Sequence, residues 1–516
     1  MMSASFYSSW YSFDRRIDCM AVLGLDIGTG GSRAVLVGDD GRLLAAATAA
    51  HEPFASPETG WAEQHPADWW RAAQQAIQEL LSVAPVASST VQAVGLSGQM
   101  HGAVLLDGAG EVLRPAIIWC DQRSDAECQA LTARIGASRL IDWVSNPALT
   151  GFNLPKFLWV RDHEPAVWDR VRSVLLPKDF VRWHLTGERA TDVADASGTL
   201  LFDVAHRCWS AAMLDAVDLS GELFPVAYEG PAITGRVCAA GAEATGLLVG
   251  TPVVAGGGDQ AAGAVGMGVV RPGTVSATIG TSGVVFAATD RPALDGRGRV
   301  HTFCHAVPDR WHVMGVTQGA GLSLRWFNDT FGVGDLIDAV EGDSYDRLCA
   351  TAARAPVGSD GVMWAPYLMG ERTPHLNPHA RAALVGLSAS HSRAHISRAL
   401  LEGVAFSLRD SLTIIDEMGL STCRVRLGGG GARSPLWRQI QADVYKQPVE
   451  LLEAEEGAAY GAALLAGVGT GLWVSVDQAA EAVVRVAERR NPIPEHTVTL
   501  DRQYAQFQRL YPALHS

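Results

Sequence analysis

Val22-Leu23-Gly24-Leu25-Asp26-Ile27-Gly28-Thr29-Gly30-Gly31-Ser32-Arg33-Ala34-Val35-Leu36-Val37 reads as strand, glycine turn, strand. Apolar residues fill both arms, and the glycines between them allow a tight reversal. Asp39-Asp40-Gly41 makes a second turn into Leu43-Leu44-Ala45-Ala46, so three strands follow one another as hairpins. Beyond them, the spacing of apolar residues predicts a helix over Trp69 to Leu81 and a buried strand over Val91 to Leu96. Three hairpin-linked strands followed by alternating helices and strands imply an α/β fold with a mixed sheet.

The same signature returns. Ala277-Thr278-Ile279-Gly280-Thr281-Ser282-Gly283-Val284-Val285-Phe286 is again strand, I-G-T-x-G turn, strand, and Ile279 lies 252 residues after Ile27. A third glycine turn follows a strand at Val425-Arg426-Leu427-Gly428-Gly429-Gly430-Gly431. A repeat close to half the chain length implies two duplicated domains around a central cleft. Their boundary is expected near Gly263 to Pro272, which divides the chain into 21–266 and 267–516. Helices are predicted near Ala394 to Met418 and Gly457 to Ala466, completing the second half. The small residues of the latter suit close packing against a neighbouring element or a ligand.

The chain has 516 residues, more than one core usually serves. Hydrophobic residues make up 48% and charged residues 19%, a globular composition. Formal net charge is -14, which argues against a nucleic-acid partner. The eight cysteines form no C-x-x-C pair and read as free thiols of a reducing cytoplasm. His301, Cys304 and His305 fall short of a structural zinc spacing. No apolar run is long enough to predict a membrane helix. Residues 1–20 read as a disordered N-terminal extension, with Met20 as an alternative start.

Four segments point to chemistry. Gly28, Gly30 and Gly31 let backbone N–H groups approach an anion, Thr29 adds a hydroxyl, and Asp26 just before them suits a Mg²⁺ ion. With Gly280, Thr281 and Ser282 opposite, two glycine turns can pinch a polyphosphate. Val253-Val254-Ala255-Gly256-Gly257-Gly258-Asp259-Gln260 runs a buried strand into a carboxylate at the expected boundary. Phosphoryl transfer needs positioning, charge neutralisation and a base, and Asp259 can be that base; a helix N-cap is the other reading of an aspartate there, and the two are compatible. Gly95-Leu96-Ser97-Gly98-Gln99-Met100-His101-Gly102 is too polar for a core turn; His101 can donate to a ligand hydroxyl and Met100 can pack on carbon. Gly428 to Ala432 reads as a close backbone approach to a nucleotide, or as a plain turn before a helix starting at Ser434-Pro435. The loop Glu371-Arg372-Thr373-Pro374-His375 either lines the cleft or makes an interdomain contact. No G-x-x-x-x-G-K-[ST] loop, G-x-G-x-x-G after a strand, or G-x-S-x-G elbow is present.

Together these segments, with Leu176-Pro177-Lys178-Asp179, resemble the FGGY carbohydrate kinases and their xylulokinase branch, from Ala21 to the C-terminus. The resemblance implies an actin-like ATPase (ribonuclease H-like) fold and transfer of phosphate from ATP to D-xylulose. It implies that Asp259 is the catalytic base and that Asp26, with Asp259, handles metal and phosphate. Met100, His101, Asp259 and Gln260 would hold the sugar. Gly28, Thr29, Gly30, Arg33, Gly280, Thr281, Ser282, Gly321, Gly430, Gly431 and Ala432 would hold ATP. Glycerol kinases carry Arg-Glu where this chain has Met100-His101, which speaks against glycerol. Departures are Gln260 for a common Asn, Gly30 for Ser, Arg33 for Lys, and Asn153 for a small hydroxyl or Pro. Implied partners are a small sugar and ATP, with no nucleic acid or membrane and with a homodimer expected. The alternatives are a kinase for another ketose or polyol, such as ribulose or a deoxyketose, and a non-catalytic ATP-binding switch.

Overall fold

The structure, a computed structural model, describes residues 20–332, 343–453 and 457–515. Apart from Met20, the expected N-terminal extension lies outside the described residues.

The opening stretch folds as read: β1 (Ala21–Ile27) and β2 (Gly31–Gly38) form a hairpin, and β3 (Leu43–Ala50) continues it. Helix α1 (Pro66–Val83) begins earlier than its apolar spacing suggests, because Pro66 occupies the first turn and the His65 side chain accepts from Ala67 N. β4 (Val91–Gly98) lies parallel to β1, β5 (Ile233–Arg236) closes the edge, and β6 (Pro252–Val254) joins the two. The sheet order is β5-β6-β4-β1-β2-β3. Helix α2 (Asp259–Gly266) follows it.

The second half repeats the plan. β7 (Gly273–Ile279), β8 (Gly283–Thr289), β9 (His301–Cys304) and β10 (Trp311–Thr317) are antiparallel neighbours. Helix α3 (Gly321–Phe331) and the long, largely buried α4 (Arg393–Glu417) follow. Then come β11 (Thr422–Gly428), α5 (Pro435–Tyr445) and β12 (Val449–Leu452), with both strands parallel to β7. Helix α6 (Gly457–Gly469) and the antiparallel edge strand β13 (Val486–Arg490) complete it. Both sheets thus share one pairing sequence: three antiparallel strands, two parallel ones and an antiparallel edge, with β9 added in the second.

Strand alternation aims the two key faces. Leu23, Leu25 and Ile27 join the core that includes Trp69, Ile77 and Leu80 of α1. Val22, Gly24 and Asp26 therefore share the opposite face, and Val22 packs in a core with Ala459 and Ala463 of α6. In the second sheet Val275, Ala277 and Ile279 pack in the core with residues of α4, which leaves Ser276 and Thr278 on the cleft face.

Helix α6 does not simply complete the second half. It lies on the first sheet and against α2. A Cβ at Gly24 would stand 1.9 Å from Ala459 O, one at Gly95 1.9 Å from Ala462 O, and one at Gly461 1.7 Å from Ala262 O. Its small residues serve a neighbouring element: they bring the helix onto β1, β4 and α2.

Candidate active site

Asp26, one residue from the end of β1, and Asp259, the first residue of α2, line one cavity of about 250 Å³. Thr278, Gly429 and Ala432 form its opposite wall, so both halves contribute. Gly258 occupies the helix-capping position, so Asp259 is not the N-cap that the sequence alone allowed. Gln260 anchors the carboxylate: its N–H donates to Oδ1 at 2.9 Å and its Nε2 to Oδ2 at 3.2 Å. Burial raises the Asp26 carboxyl to about 6. Burial, and then the charge of Asp26, raises Asp259 to about 7.

Neither carboxylate has an ion-pair partner among the described residues, and Oδ1 of Asp26 has no hydrogen-bond partner. Two uncompensated carboxylates, one with an orphaned oxygen, suit a hard divalent cation that takes its other ligands from water and phosphate. Among the described residues no group of three or more His, Cys, Asp or Glu is arranged to hold a metal.

The glycine turns meet at a second cavity, of about 330 Å³, lined by Gly280, Thr281, Gly321, Gly430 and Gly431. Gly280 N donates to Ser282 O at 2.9 Å, and α3 docks on the same turn through Gly321 N to Gly280 O at 2.9 Å. A Cβ at Gly321 would stand 2.3 Å from Gly280 O. Gly429 has φ of 72°, and a Cβ there would stand 2.5 Å from Ile279 O. Backbone contact at this range is open only to glycine. Trp437, Leu324 and Tyr345, which sequence reasoning missed, also line this cavity. The signal for Trp437 was its place in the first turn of the helix that Ser434 caps, where Trp437 N donates to Ser434 Oγ.

Ser282, Gly28, Thr29, Gly30 and Arg33 line neither cavity, whereas Ala432 lines the one that holds the carboxylates. In the first turn, Gly28 N donates to Gly31 O at 3.0 Å. The Thr29 hydroxyl accepts from Trp119 Nε1 at 3.0 Å and donates to Gln99 Oε1 at 3.3 Å. Those bonds brace the turn and occupy the hydroxyl. Arg33 is the cross-strand partner of Asp26 and so shares its face; its Nη1 donates to Thr48 Oγ1 at 2.8 Å.

Met100 packs beside the start of α2: a Cβ at Gly258 would stand 2.8 Å from Met100 Cγ. His101, at φ of 66°, packs its ring against Phe152 and Phe303, and both it and Met100 reach Gly198, where a Cβ would stand 2.6 Å from His101 Cε1 and 3.0 Å from Met100 Cε. This left-handed backbone is held by three hydrogen bonds to carbonyls: Lys156 Nζ to His101 O at 2.7 Å, and Asn153 Nδ2 to His101 O and to Gly102 O, each at 3.2 Å. Asn153 thus has a structural task here.

His101 Nδ1 lies 2.8 Å from Gly198 O. A carbonyl only accepts, so Nδ1 carries the proton, and burial keeps the ring neutral, well below the usual histidine range. Nε2 is therefore an acceptor, not the donor expected from sequence.

The Glu371 to His375 loop is anchored in the second half. Thr317 Oγ1 donates to Glu371 Oε2 at 2.5 Å, and Gln318 N and Arg372 N donate to Oε1 at 2.9 and 2.8 Å. His375 stacks on Tyr511 at 3.5 Å between ring centroids. Arg372 reaches the first half, its Nη2 3.2 Å from where a Cβ of Gly151 would stand. Behind Gly258, Lys178 is ion-paired with Asp179, Asp192 and Asp195, all fully buried.

Residues 21–266 match the model of the FGGY family of carbohydrate kinases, N-terminal domain, and residues 275–470 that of its C-terminal domain. The chain is 37% identical over 490 residues to the xylulose kinase of Bacillus subtilis, covering 95% of this chain and 96% of that protein. It is 42% identical over 447 residues to the xylulose kinase of Escherichia coli, covering 86% and 89%. Among solved structures, it resembles a xylulose kinase from Rhodospirillum rubrum with a TM-score of 0.87 at 33% identity, covering 96% of this chain and 99% of that one.

Proposed function

The chain belongs to the FGGY family of carbohydrate kinases, and from that premise we propose that it catalyses ATP-dependent phosphorylation of D-xylulose to D-xylulose 5-phosphate. The observation that carries the residue assignments is the Asp26–Asp259 pair in a cavity shared by both halves, next to the one lined by the glycine turns. The xylulose kinases to which it is similar carry the choice of sugar.

In this reading residues 21–266 hold the sugar and residues 267–516 hold the nucleotide. Gly280, Thr281, Gly321, Gly430 and Gly431 cradle ATP, with Trp437 beside them. The first turn, with Gly28, Thr29, Gly30 and Arg33, faces the phosphates from the other half. Met100, His101 and Gln260 hold the sugar so that its terminal hydroxyl meets Asp259. Asp259 takes that proton, the hydroxyl oxygen bonds to the γ-phosphorus, and the bond to the β–γ bridging oxygen breaks, releasing ADP. A Mg²⁺ ion, held by Asp26 and Asp259, would neutralise phosphate charge. Gln260 holds both oxygens of Asp259, which supports a role in orienting the base. The raised pKa of Asp259 supports its use as a base near neutral pH. A cytoplasmic setting belongs to the same reading.

The test is ADP release with Mg²⁺ and ATP across D-xylulose, D-ribulose, L-ribulose, glycerol and no sugar. Stimulation by D-xylulose above the others is expected. Stimulation by a different sugar would keep the kinase and replace its substrate; stimulation by none would favour an ATP-binding switch.

A further inference from the structure

Between β6 and α2 the chain carries one residue more than the strand beside it. Val253 pairs with Val94 of β4, and Gly257 and Gly258 pair in parallel with Ser97 and Gly98. From Val253 to Gly257 is four steps and from Val94 to Ser97 is three, so Val254, Ala255 and Gly256 form a bulge. Gly256 stands at φ of 77°, and a Cβ there would meet Leu96 O at 1.8 Å, so the bulge lies hard against β4. Its amides meet neighbouring carbonyls: Ala255 N donates to Ala232 O and Gly256 N to Gly230 O, each at 2.8 Å.

Two carbonyls of the bulge go to one side chain. Arg182, on the helix Pro177–Thr186, is fully buried. Its Nη1 donates to Val254 O at 2.7 Å and to Thr234 Oγ1 at 2.6 Å. Its Nη2 donates to Ala255 O at 2.5 Å and to Asp179 Oδ1 at 3.4 Å. Nε alone has no partner among the described residues. Burying a guanidinium is costly, and filling space is better served by an apolar side chain. What the planar fork adds is fixed geometry across two successive carbonyls.

The extra residue sets where Asp259 stands. On the other side of β4, Asp26 pairs with Ser97 and Ile27 with Gly98. Asp26, Ser97 and Gly257 therefore form one row across the sheet, and Asp259 follows two residues on. Loss of the bulge would put Gly256 in that row and carry Asp259 one step farther from Asp26, about 3.3 Å along the strand. A misplacement of about 1 Å at a reacting centre can already cost about 100-fold in rate. We propose that Arg182 is a positioning residue for phosphoryl transfer: by holding Val254 O and Ala255 O it fixes the bulge, and through the bulge the place of Asp259 relative to Asp26. The proposal rests on the functional reading above, in which Asp259 is the base.

The test uses the full chain and compares Arg182→Lys with Val181→Ala, which trims the core on the same helix without touching the bulge. It reads Tm, kcat, and the dissociation constants of D-xylulose and ADP. R182K keeps the charge beside Asp179 but not the fork, so kcat should fall by about 10- to 100-fold while both dissociation constants stay within about 3-fold. V181A should lower Tm and keep kcat within about 2-fold. If R182K does not fold, Thr234→Val, which removes one acceptor of the guanidinium, carries the test with an expected fall of about 3- to 10-fold in kcat. Wild-type kcat in the variant that carries the test, a loss of sugar affinity as large as the loss of kcat, or the same loss of kcat in V181A overturns the Arg182 assignment and leaves the kinase intact. A wild-type enzyme that phosphorylates no sugar overturns the functional reading, and this inference with it.

Discussion

Asp26 and Asp259, 233 positions apart in the chain, line one cavity, and after burial itself the charge of Asp26 is what holds the Asp259 carboxyl at about 7. Neither is offset by a cation among the described residues. The arrangement is unfavourable in isolation and becomes favourable once positive charge enters the cavity. In the proposed reading, that positive charge would come with a metal-bound polyphosphate.

The pair sets a pH dependence. A base works only when unprotonated, and a carboxyl raised to about 7 is protonated below that pH. kcat/KM for the sugar, which reports the free enzyme, should climb roughly tenfold per pH unit up to about 7 and level off above it. Asp26→Asn removes the second cause of the shift, so the limb should move to lower pH in the activity that remains. A flat profile from pH 5 to 8 would contradict the assignment.

Gly461→Ala should destabilise the enzyme, although alanine ordinarily favours a helix interior by about 0.5–1 kcal/mol over glycine. Here the new Cβ would stand 1.7 Å from Ala262 O on α2, and forcing the two helices apart costs about 1–3 kcal/mol or more. Thermal unfolding should show a lower Tm together with reduced kcat, since α2 begins at Asp259. Gly263→Ala, on the facing helix, would meet only Ala458 N at 3.9 Å and should keep its Tm. Equal Tm values for the two variants would refute this packing.

How much of this was legible follows residue by residue. The paired turns at Gly28 and Gly280 could be read because hairpin chemistry is local: glycines and flanking apolar arms lie within a few positions. The carboxylate at Asp259 stood out because three glycines precede it. The direction of the His101 hydrogen bond could not be read, because its partner Gly198 lies 97 positions away. Nor could the target of Gly457 to Gly469, since small residues in a helix suit a ligand and a neighbouring strand equally. The aim of Arg372 depends on how the two halves meet, which no local pattern encodes.

Gly321→Ala should weaken nucleotide binding selectively. Its Cβ would stand 2.3 Å from Gly280 O, pushing α3 off the turn that lines the larger cavity. KM for ATP should rise by about tenfold, the scale of a 1–3 kcal/mol packing defect, with sugar affinity within about twofold. Isothermal titration with ADP and with D-xylulose separates the two. A loss in sugar affinity as large as that in ADP affinity would contradict the division of labour between the halves.

The most direct test compares wild type with Asp259→Asn for sugar-dependent ADP release in the presence of Mg²⁺, alongside D-xylulose binding. The substitution keeps shape and removes the base, so turnover should fall by about 10²–10⁴-fold while the dissociation constant for D-xylulose changes by less than about 3-fold. An Asp259→Asn enzyme that phosphorylates D-xylulose within a few-fold of the wild-type rate would contradict the account.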